Sequence, residues 1–105
     1  MNLLSRTEEI LLLVVWRLQD RAYGISIRDE ASKSTGTKWS LGAVYAPLHR
    51  LEKKGLVHTR NGDPSPERGG RAKVYYELTP KGRNALLKVK LVHETLWTGI
   101  QALTV

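Results

Sequence analysis

The sequence predicts a mainly α-helical fold with one small β-hairpin: a winged helix-turn-helix plus a C-terminal dimerisation helix. Three helix-like segments with recognisable ends occupy the first half of the chain. Two strand-like segments then flank NGDPSPERGG, whose glycines and prolines are typical of a turn. A last segment repeats apolar residues at helical spacing, and this order of elements is that of an extended winged helix. We assign residues 1–79 to the winged helix-turn-helix and residues 80–105 to the C-terminal helix, forming one compact unit.

The first helix is predicted from its N-terminal signal. Ser5 and Glu8 are three residues apart, as in a capping box, so the helix is expected from about Ser5 to Leu18 or Gln19. Apolar residues cover nearly every face of this helix, and Trp16 is expected in the core. Burial on several sides, partly by another subunit, follows from that pattern.

The second and third helices form the predicted helix-turn-helix. The second is short, at about residues 25–33, and Gly36 is a suitable terminator. Ser40 is a good N-cap for the third helix, Gly55 closes it, and Pro47 is expected to kink it. One stripe of the third helix is apolar and should face the core: Val44, Leu48 and Leu51.

A hairpin and a long helix complete the predicted fold. The strands are LVHTR, residues 56–60, and RAKVYYEL, residues 71–78. Thr79 and Pro80 begin the last helix, since proline at a first-turn position loses no hydrogen bond. The apolar stripe of this helix is wider than one contact with a small domain requires, which predicts a second copy as partner. The expected dimer interface comprises Leu11, Val15, Val89, Val92, Leu96, Ile100 and Leu103. Trp97 and His93 are candidates for a ligand pocket between subunits.

Charge narrows the class of partner. The chain has 105 residues and a formal charge of +7, and residues 38–90 hold twelve Lys and Arg against four Asp and Glu. This concentration favours an acidic partner, either nucleic acid or an anionic membrane. The apolar run at residues 10–16 is far short of the roughly 20 residues that span a bilayer. Because cysteine is absent, a reducing, cytoplasmic setting is the simplest expectation.

The third helix is the predicted recognition helix, lying in the major groove of double-stranded DNA. Gly42, Ala43 and Ala46 are small enough to let the backbone approach DNA closely, and larger polar neighbours could donate hydrogen bonds. The hairpin supplies cations for phosphates or the minor groove. The predicted DNA-binding residues are Lys38, Ser40, Gly42, Ala43, Tyr45, Ala46, His49, Arg50, Lys53, Arg68, Arg71 and Lys73. A purely capping Ser40, a Lys53 that only complements the helix dipole and a solvated hairpin loop are the alternatives.

Three stretches carry a resemblance to a known family: ILLLVVWRLQDRAYGISI, LGAVYAPLHRLEKKGLV and GGRAKVYYELTPKGR. Together they resemble the PadR family of transcriptional regulators over about residues 3–82, and short members with a single C-terminal helix are the most similar. One departure is that Ala46 separates Tyr45 from Pro47, whereas many members place the proline directly after the tyrosine. The matching positions of the third helix are Tyr45, Leu48, Arg50, Leu51, Glu52, Gly55 and Leu56. The matching positions of the hairpin and last helix are Gly70, Arg71, Tyr75, Tyr76, Leu78, Thr79, Pro80 and Gly82.

The resemblance implies a homodimeric repressor that binds an inverted repeat and is released by a small, commonly aromatic molecule. Its C-terminal helix would pack on the N-terminal helix of the partner. An enzyme is not expected, because His49, His58 and His93 lie in different elements and no nucleophile or phosphate-loop motif is present. No cofactor or metal is expected either. The alternative is a winged-helix module that binds a protein or small hydrophobic molecule without reading DNA; RNA binding is a weaker alternative.

Overall fold

The computed structural model describes residues 3–62 and 73–100. Within these ranges the helices and strands follow the predicted order, with a short 3-10 turn between the first two helices. The sheet is a two-stranded antiparallel hairpin. The helices are α1, Arg6–Leu18; α2, Gly24–Thr35; α3, Leu41–Lys53; and α4, Pro80–Trp97. The strands are β1, Val57–Asn61, and β2, Val74–Leu78.

The predicted end signals of α1 and α2 are confirmed. The Glu8 backbone N–H donates to Ser5 Oγ at 3.1 Å, and the Ser5 N–H donates to the Glu8 carboxylate at 2.9 Å, which completes the capping box. Helix α2 is a little longer at both ends than the sequence indicates. Gly36 ends it in the left-handed conformation, with φ of 70°, and its N–H donates to the Ser32 carbonyl.

Helix α3 also has its predicted ends and inner face. The Ala43 N–H donates to Ser40 Oγ at 3.1 Å, so Ser40 is the N-cap. Gly55, just past the helix, has φ of 74°, a conformation that favours glycine. Pro47 is buried inside the helix. The stripe predicted to face the core is fully buried: Val44, Leu48 and Leu51.

The hairpin has one contact that the sequence does not indicate. Its strands pair from Val57 opposite Leu78 to Asn61 opposite Val74, so β2 begins later than the predicted residue 71; residues 71–72 lie outside the described ranges. The segment before α2 then joins the outer edge of β2: the Tyr76 N–H donates to the Ala22 carbonyl at 2.8 Å. This bond ties the hairpin to the turn that opens the helix-turn-helix.

Three predictions about α1 are corrected by the core. Leu11 and Val15 are 0% and 1% exposed inside this single chain, so they have no surface to offer a second copy. Trp16, expected in the core, is 46% exposed because it lies on the side of α1 that faces away from the buried cluster. The core is formed by Leu11, Leu12, Val14, Val15, Ala22, Ile27, Ala31, Val44, Leu48, Leu51, Leu56 and Val57.

The predicted apolar stripe of α4 is shorter than expected. The helix ends at Trp97 because the backbone of Thr98 turns extended while its hydroxyl donates to the Glu94 carbonyl at 2.6 Å. Ile100 therefore lies beyond the helix, and Leu103 is outside the described residues. Of the other predicted interface positions, Val89 is buried against its own domain, Val92 is half-buried and Leu96 is exposed.

Helices α1 and α3 are joined by a charged contact at the end of α3. Lys54 Nζ lies 2.6 Å from Glu8 Oε2, and the Glu8 side chain is almost fully buried. The Lys54 carbonyl in turn accepts a hydrogen bond from Lys81 Nζ at 2.9 Å. The carboxylate is therefore satisfied by its capping box and by an ammonium group anchored near α4.

Helix α4 starts directly on the same turn. The Thr79 hydroxyl donates to the Gly55 carbonyl at 2.6 Å, and the Thr79 N–H donates to the Leu56 carbonyl at 3.1 Å. A Cβ on Gly82 would overlap the Leu56 carbonyl oxygen, so only glycine lets α4 approach this closely. We call residues 54–56 with these partners the 54–56 junction, where α1, α3 and α4 meet.

We predict that Glu8→Gln destabilises the protein in a pH-dependent way. Burial raises the pKa of Glu8, but the hydrogen bonds and charge of Lys54 and the bonds with Ser5 together bring it below its ordinary value. The carboxylate therefore stabilises the fold above its unfolded pKa of about 4.3, and that contribution is lost as pH falls through the lower folded pKa. Because glutamine can keep the capping bond, we expect a loss of about 1 to 2 kcal/mol near neutral pH.

Urea unfolding of the natural protein and of Glu8→Gln, at neutral and at strongly acidic pH, measures the difference in their free energies of unfolding. It should shrink towards zero in acid, and the exposed Glu94→Gln is the matched control with little effect at either pH. A Glu8→Gln penalty of equal size at both pH values would refute the role assigned to the carboxylate.

Candidate nucleic-acid interface

One face of α3 is open to solvent, opposite the buried stripe. Its exposed residues are small at the start of the helix and polar towards its end, as the periodicity predicts. Gly42 has open space around it, with only Ser40 Oγ at 3.9 Å from where a Cβ would stand. We call this surface the α3 face; it comprises Lys38, Ser40, Gly42, Ala43, Tyr45, Ala46, His49, Arg50 and Lys53, all exposed.

Tyr45 has a structural contact besides its exposed edge. Its ring tip lies against Gly24, the first residue of α2, where a Cβ would overlap the Tyr45 hydroxyl. Tyr45 therefore helps to set how α3 crosses α2, while 45% of it remains exposed.

Two cations and two aromatic rings interleave where the paired strands of the hairpin meet its connecting loop. The guanidinium of Arg60 lies 4.6 Å from the Tyr75 ring centroid, and Lys73 Nζ lies 4.1 Å from the Tyr23 centroid. The rings of Tyr23 and Tyr75 meet edge to face at 5.7 Å. Arg60 also donates to the Asp20 carbonyl at 3.2 Å. Lys73, a predicted DNA contact, is thus held beside the turn before α2.

Sequence reasoning did not find this cluster, although isolated aromatic residues next to basic ones were a visible signal. Tyr23 lies in a mostly polar segment, and Tyr75 lies between Val74 and Tyr76 in β2. The two other predicted hairpin contacts, Arg68 and Arg71, lie outside the described residues.

A groove of about 550 Å³ separates α1 from α4. His93, a predicted pocket residue, lines it, with Nε2 3.4 Å from Glu9 Oε2. Trp97 does not line the groove; Trp16 does, beneath the guanidinium of Arg83 at 5.7 Å. We call this the tryptophan groove. Its missed residues, Leu13 and Trp16, are an apolar pair three apart on α1, but residues 10–16 are all apolar, so the sequence did not mark this side as exposed.

Large apolar side chains continue from the tryptophan groove along α4. Together they form a larger exposed apolar patch than a small monomeric domain usually leaves in contact with water. We call this the α1–α4 apolar surface; it comprises Leu13, Trp16, Leu87, Leu91, Leu96 and Trp97.

Two other kinds of site were searched for in the described ranges. No group of three or more His, Asp or Glu side chains there is placed to hold a metal ion. No helix there combines the length and the apolar character that crossing a membrane requires.

An exposed α3 face beside a cation-bearing hairpin agrees with the match to a known family. The model of the transcriptional regulator PadR-like family matches residues 11–88, from the middle of α1 into α4. The chain belongs to the PadR-like family. This PadR-like protein is therefore a transcription regulator that acts through DNA binding, and it is not an enzyme.

Solved structures of similar proteins share the fold of this PadR-like chain. RosR of H. salinarum superposes with a TM-score of 0.75 at 24% identity, covering 93% of this chain and 81% of its own. A PadR family transcription regulator from hypervirulent Clostridium difficile R20291 gives 0.70 at 21% identity, with 88% and 91% covered. A PadR-like transcription factor from Bacteroides fragilis gives 0.69 at 22% identity, with 87% and 85% covered. No curated protein sequence matches the chain.

We predict that the effect of Gly24→Ala on the free energy of unfolding has opposite signs with tyrosine and with alanine at position 45. In the natural chain the new methyl group must push Tyr45 aside, which should destabilise the protein by up to about 1 kcal/mol. In a Tyr45→Ala background the same change should stabilise it, because alanine is the better helix former. A double-mutant cycle from urea unfolding measures the coupling. An identical effect in both backgrounds would show that Tyr45 does not pack on Gly24 in solution.

Proposed function

We propose that this PadR-like protein is a homodimeric repressor that reads an inverted-repeat operator with α3 and is released by a small molecule. The observation that carries the DNA-reading part is the α3 face: its side chains are exposed while the opposite stripe, Val44, Leu48 and Leu51, is fully buried. A helix held this way can enter a major groove without losing core contacts. A cytoplasmic location, alongside the DNA that it reads, is part of the same proposal.

In this proposal, residues of different types on the α3 face have different roles in DNA binding. Gly42, Ala43 and Ala46 allow the helix to approach the base edges, while His49 and Arg50 donate hydrogen bonds to them. Phosphates are contacted by residues at the ends of α3 and on the hairpin, which add affinity for any sequence. These phosphate contacts are Lys38, Ser40, Lys53, Lys73, Arg68 and Arg71. Tyr45 contributes an exposed edge and the angle between α2 and α3.

The α1–α4 apolar surface supports the homodimer. A second copy that covered Leu91, Leu96 and Trp97 would remove large exposed side chains from water, at about 25 cal/mol per Å² of apolar area. Val92 lies at the edge of this surface, and Ile100 follows beyond the helix end. A two-fold dimer would present two α3 helices to half-sites about 34 Å apart, which is one turn of DNA.

The tryptophan groove supports release by a small hydrophobic or aromatic effector. Its volume of about 550 Å³ is in the usual range for ligand pockets, and Trp16 and His93 offer a ring and a polar group. An effector there would change the position of α4 relative to α1 and so the spacing of the two α3 helices. DNA affinity would fall only as far as the effector prefers the wrong spacing.

We predict that His49→Ala and Arg50→Ala lose specific binding more than nonspecific binding. The ligands are a duplex from upstream of the protein's own gene and its scrambled counterpart, titrated at about 0.15 M salt because affinity depends on it. The natural protein should prefer the upstream duplex, and each variant should lose roughly 1 to 3 kcal/mol of that preference.

Lys33→Gln is the matched control, since Lys33 is exposed at the far end of α2 and should leave both affinities unchanged. Light-scattering mass measured on the same samples should be that of a dimer. Equal losses on both duplexes would place His49 and Arg50 on the DNA backbone, and no binding to either duplex would favour a protein-binding or ligand-binding module.

A further inference from the structure

A second groove, of about 640 Å³, lies between the N-terminal residues and α4, and it shares no lining residue with the tryptophan groove. Its apolar lining is aliphatic among the described residues: Leu3, Leu4, Leu56, Ala85 and Val89. Aliphatic side chains without rings suit a flexible hydrocarbon chain rather than a stacked aromatic ring. The volume falls within the roughly 300–1,000 Å³ of typical ligand pockets. We call it the lysine groove, after its charged residues.

Three lysines line this groove, and no described carboxylate lines it. Lys54 is paired with Glu8, and Lys81 donates to the Lys54 carbonyl. The Lys88 ammonium group forms no hydrogen bond or ion pair with any side chain or carbonyl in the described ranges. It lies two helical turns after Lys81, so both ammonium groups belong to the same side of α4.

This combination selects the charge and the shape of a ligand. Two like charges on one helical side repel each other, and an anion between them relieves the repulsion while gaining charge-assisted hydrogen bonds. An apolar floor beside the cations adds affinity for an attached hydrocarbon chain. We propose that the lysine groove binds a single-chain aliphatic carboxylate, held at its head by Lys88 and Lys81 and along its chain by Leu3, Leu4 and Val89.

A ligand in this groove would also reach the 54–56 junction. Lys54 and Lys81 belong to both, and the Lys54 ammonium is the partner of the buried Glu8 carboxylate. A carboxylate bound to Lys81 competes with the Lys54 carbonyl for the Lys81 ammonium group and so acts on the residue that caps α3. This consequence, an effector that weakens DNA binding, rests on the proposed function, whereas the binding of the carboxylate does not.

The test is a titration of the purified, isotope-labelled full chain with decanoate, below its micelle concentration, followed by amide NMR shifts. 1-Decanol and decyltrimethylammonium are the neutral and cationic counterparts. Decanoate should bind more tightly than either and shift the amides of Leu4, Leu56 and Ala85. Lys88→Gln should weaken decanoate binding about tenfold, the loss expected for one charge-assisted hydrogen bond. Leu3→Asn should weaken decanoate and 1-decanol alike, and Lys33→Gln should change nothing.

Several results would overturn the proposal. They are the absence of binding, equal binding of decanoate and decanol, an unchanged affinity in Lys88→Gln, and shifts centred on Leu13 and Leu87 of the tryptophan groove. A change in light-scattering mass of Lys88→Gln would mean that a second copy occupies the groove. Preference for anionic phospholipid vesicles over free decanoate would assign the site to a membrane surface instead.

A parallel titration with the upstream duplex tests the effect of decanoate on DNA binding separately from the binding of decanoate itself. Release of DNA by decanoate from the natural chain, but not from Lys88→Gln, would support the effector role. Binding of decanoate without DNA release would support the site and refute that role. If the upstream duplex is not bound specifically at all, the proposed function fails while the NMR result for the carboxylate stands.

Discussion

The close approach of α4 to the turn after α3 is the constraint on which the rest of the molecule depends. Gly82 lies so near the Leu56 carbonyl that no side chain fits between them, and Thr79 bonds both Gly55 and Leu56. The same turn carries Lys54, whose ammonium satisfies the buried Glu8 carboxylate at the start of α1. Three helices that are distant in sequence are thereby fixed by backbone contacts and one charge pair. Their relative positions then determine where the α3 face points.

This arrangement gives a physical route between ligand binding and DNA binding. Both grooves border α4, and α4 begins on the turn that follows α3. A ligand that prefers a different position of α4 would therefore bias α3 by as much as its affinity differs between the two positions. In the proposed mechanism, a ligand in the tryptophan groove would act through the dimer and a ligand in the lysine groove would act through Lys54. The two routes differ in the ligand chemistry that each one selects.

Local signals in the sequence were sufficient for the helices, because each end is set by contacts within a few residues. The Ser5–Glu8 capping box, the Ser40 cap, the Thr79–Pro80 start and the left-handed Gly36 all involve near neighbours. The inner face of α3 followed from its period alone.

The sequence did not show which side of α1 is buried, because apolar residues cover most of the circumference of that helix. In the structure Leu11 and Val15 face the core of their own chain, while Trp16 does not. The end of α4 was missed because a three-four repeat continues past Thr98, where the backbone leaves the helix. Two cation contacts, Lys73 with Tyr23 and Lys81 with the Lys54 carbonyl, join residues from separate elements, so no linear pattern shows which groups face one another.

The most direct test of the 54–56 junction is the free energy of unfolding of Gly82→Ala beside that of Gly42→Ala. Both changes add one methyl group to the first turn of a helix, but Gly82 faces backbone that cannot move aside and Gly42 faces open space. We expect Gly82→Ala to lose about 1 to 3 kcal/mol or more, as overpacking against a rigid neighbour does. Gly42→Ala should be neutral or gain up to about 1 kcal/mol from helix propensity. Equal effects of the two substitutions would contradict the account, because α4 would then not rest on the turn that ends α3.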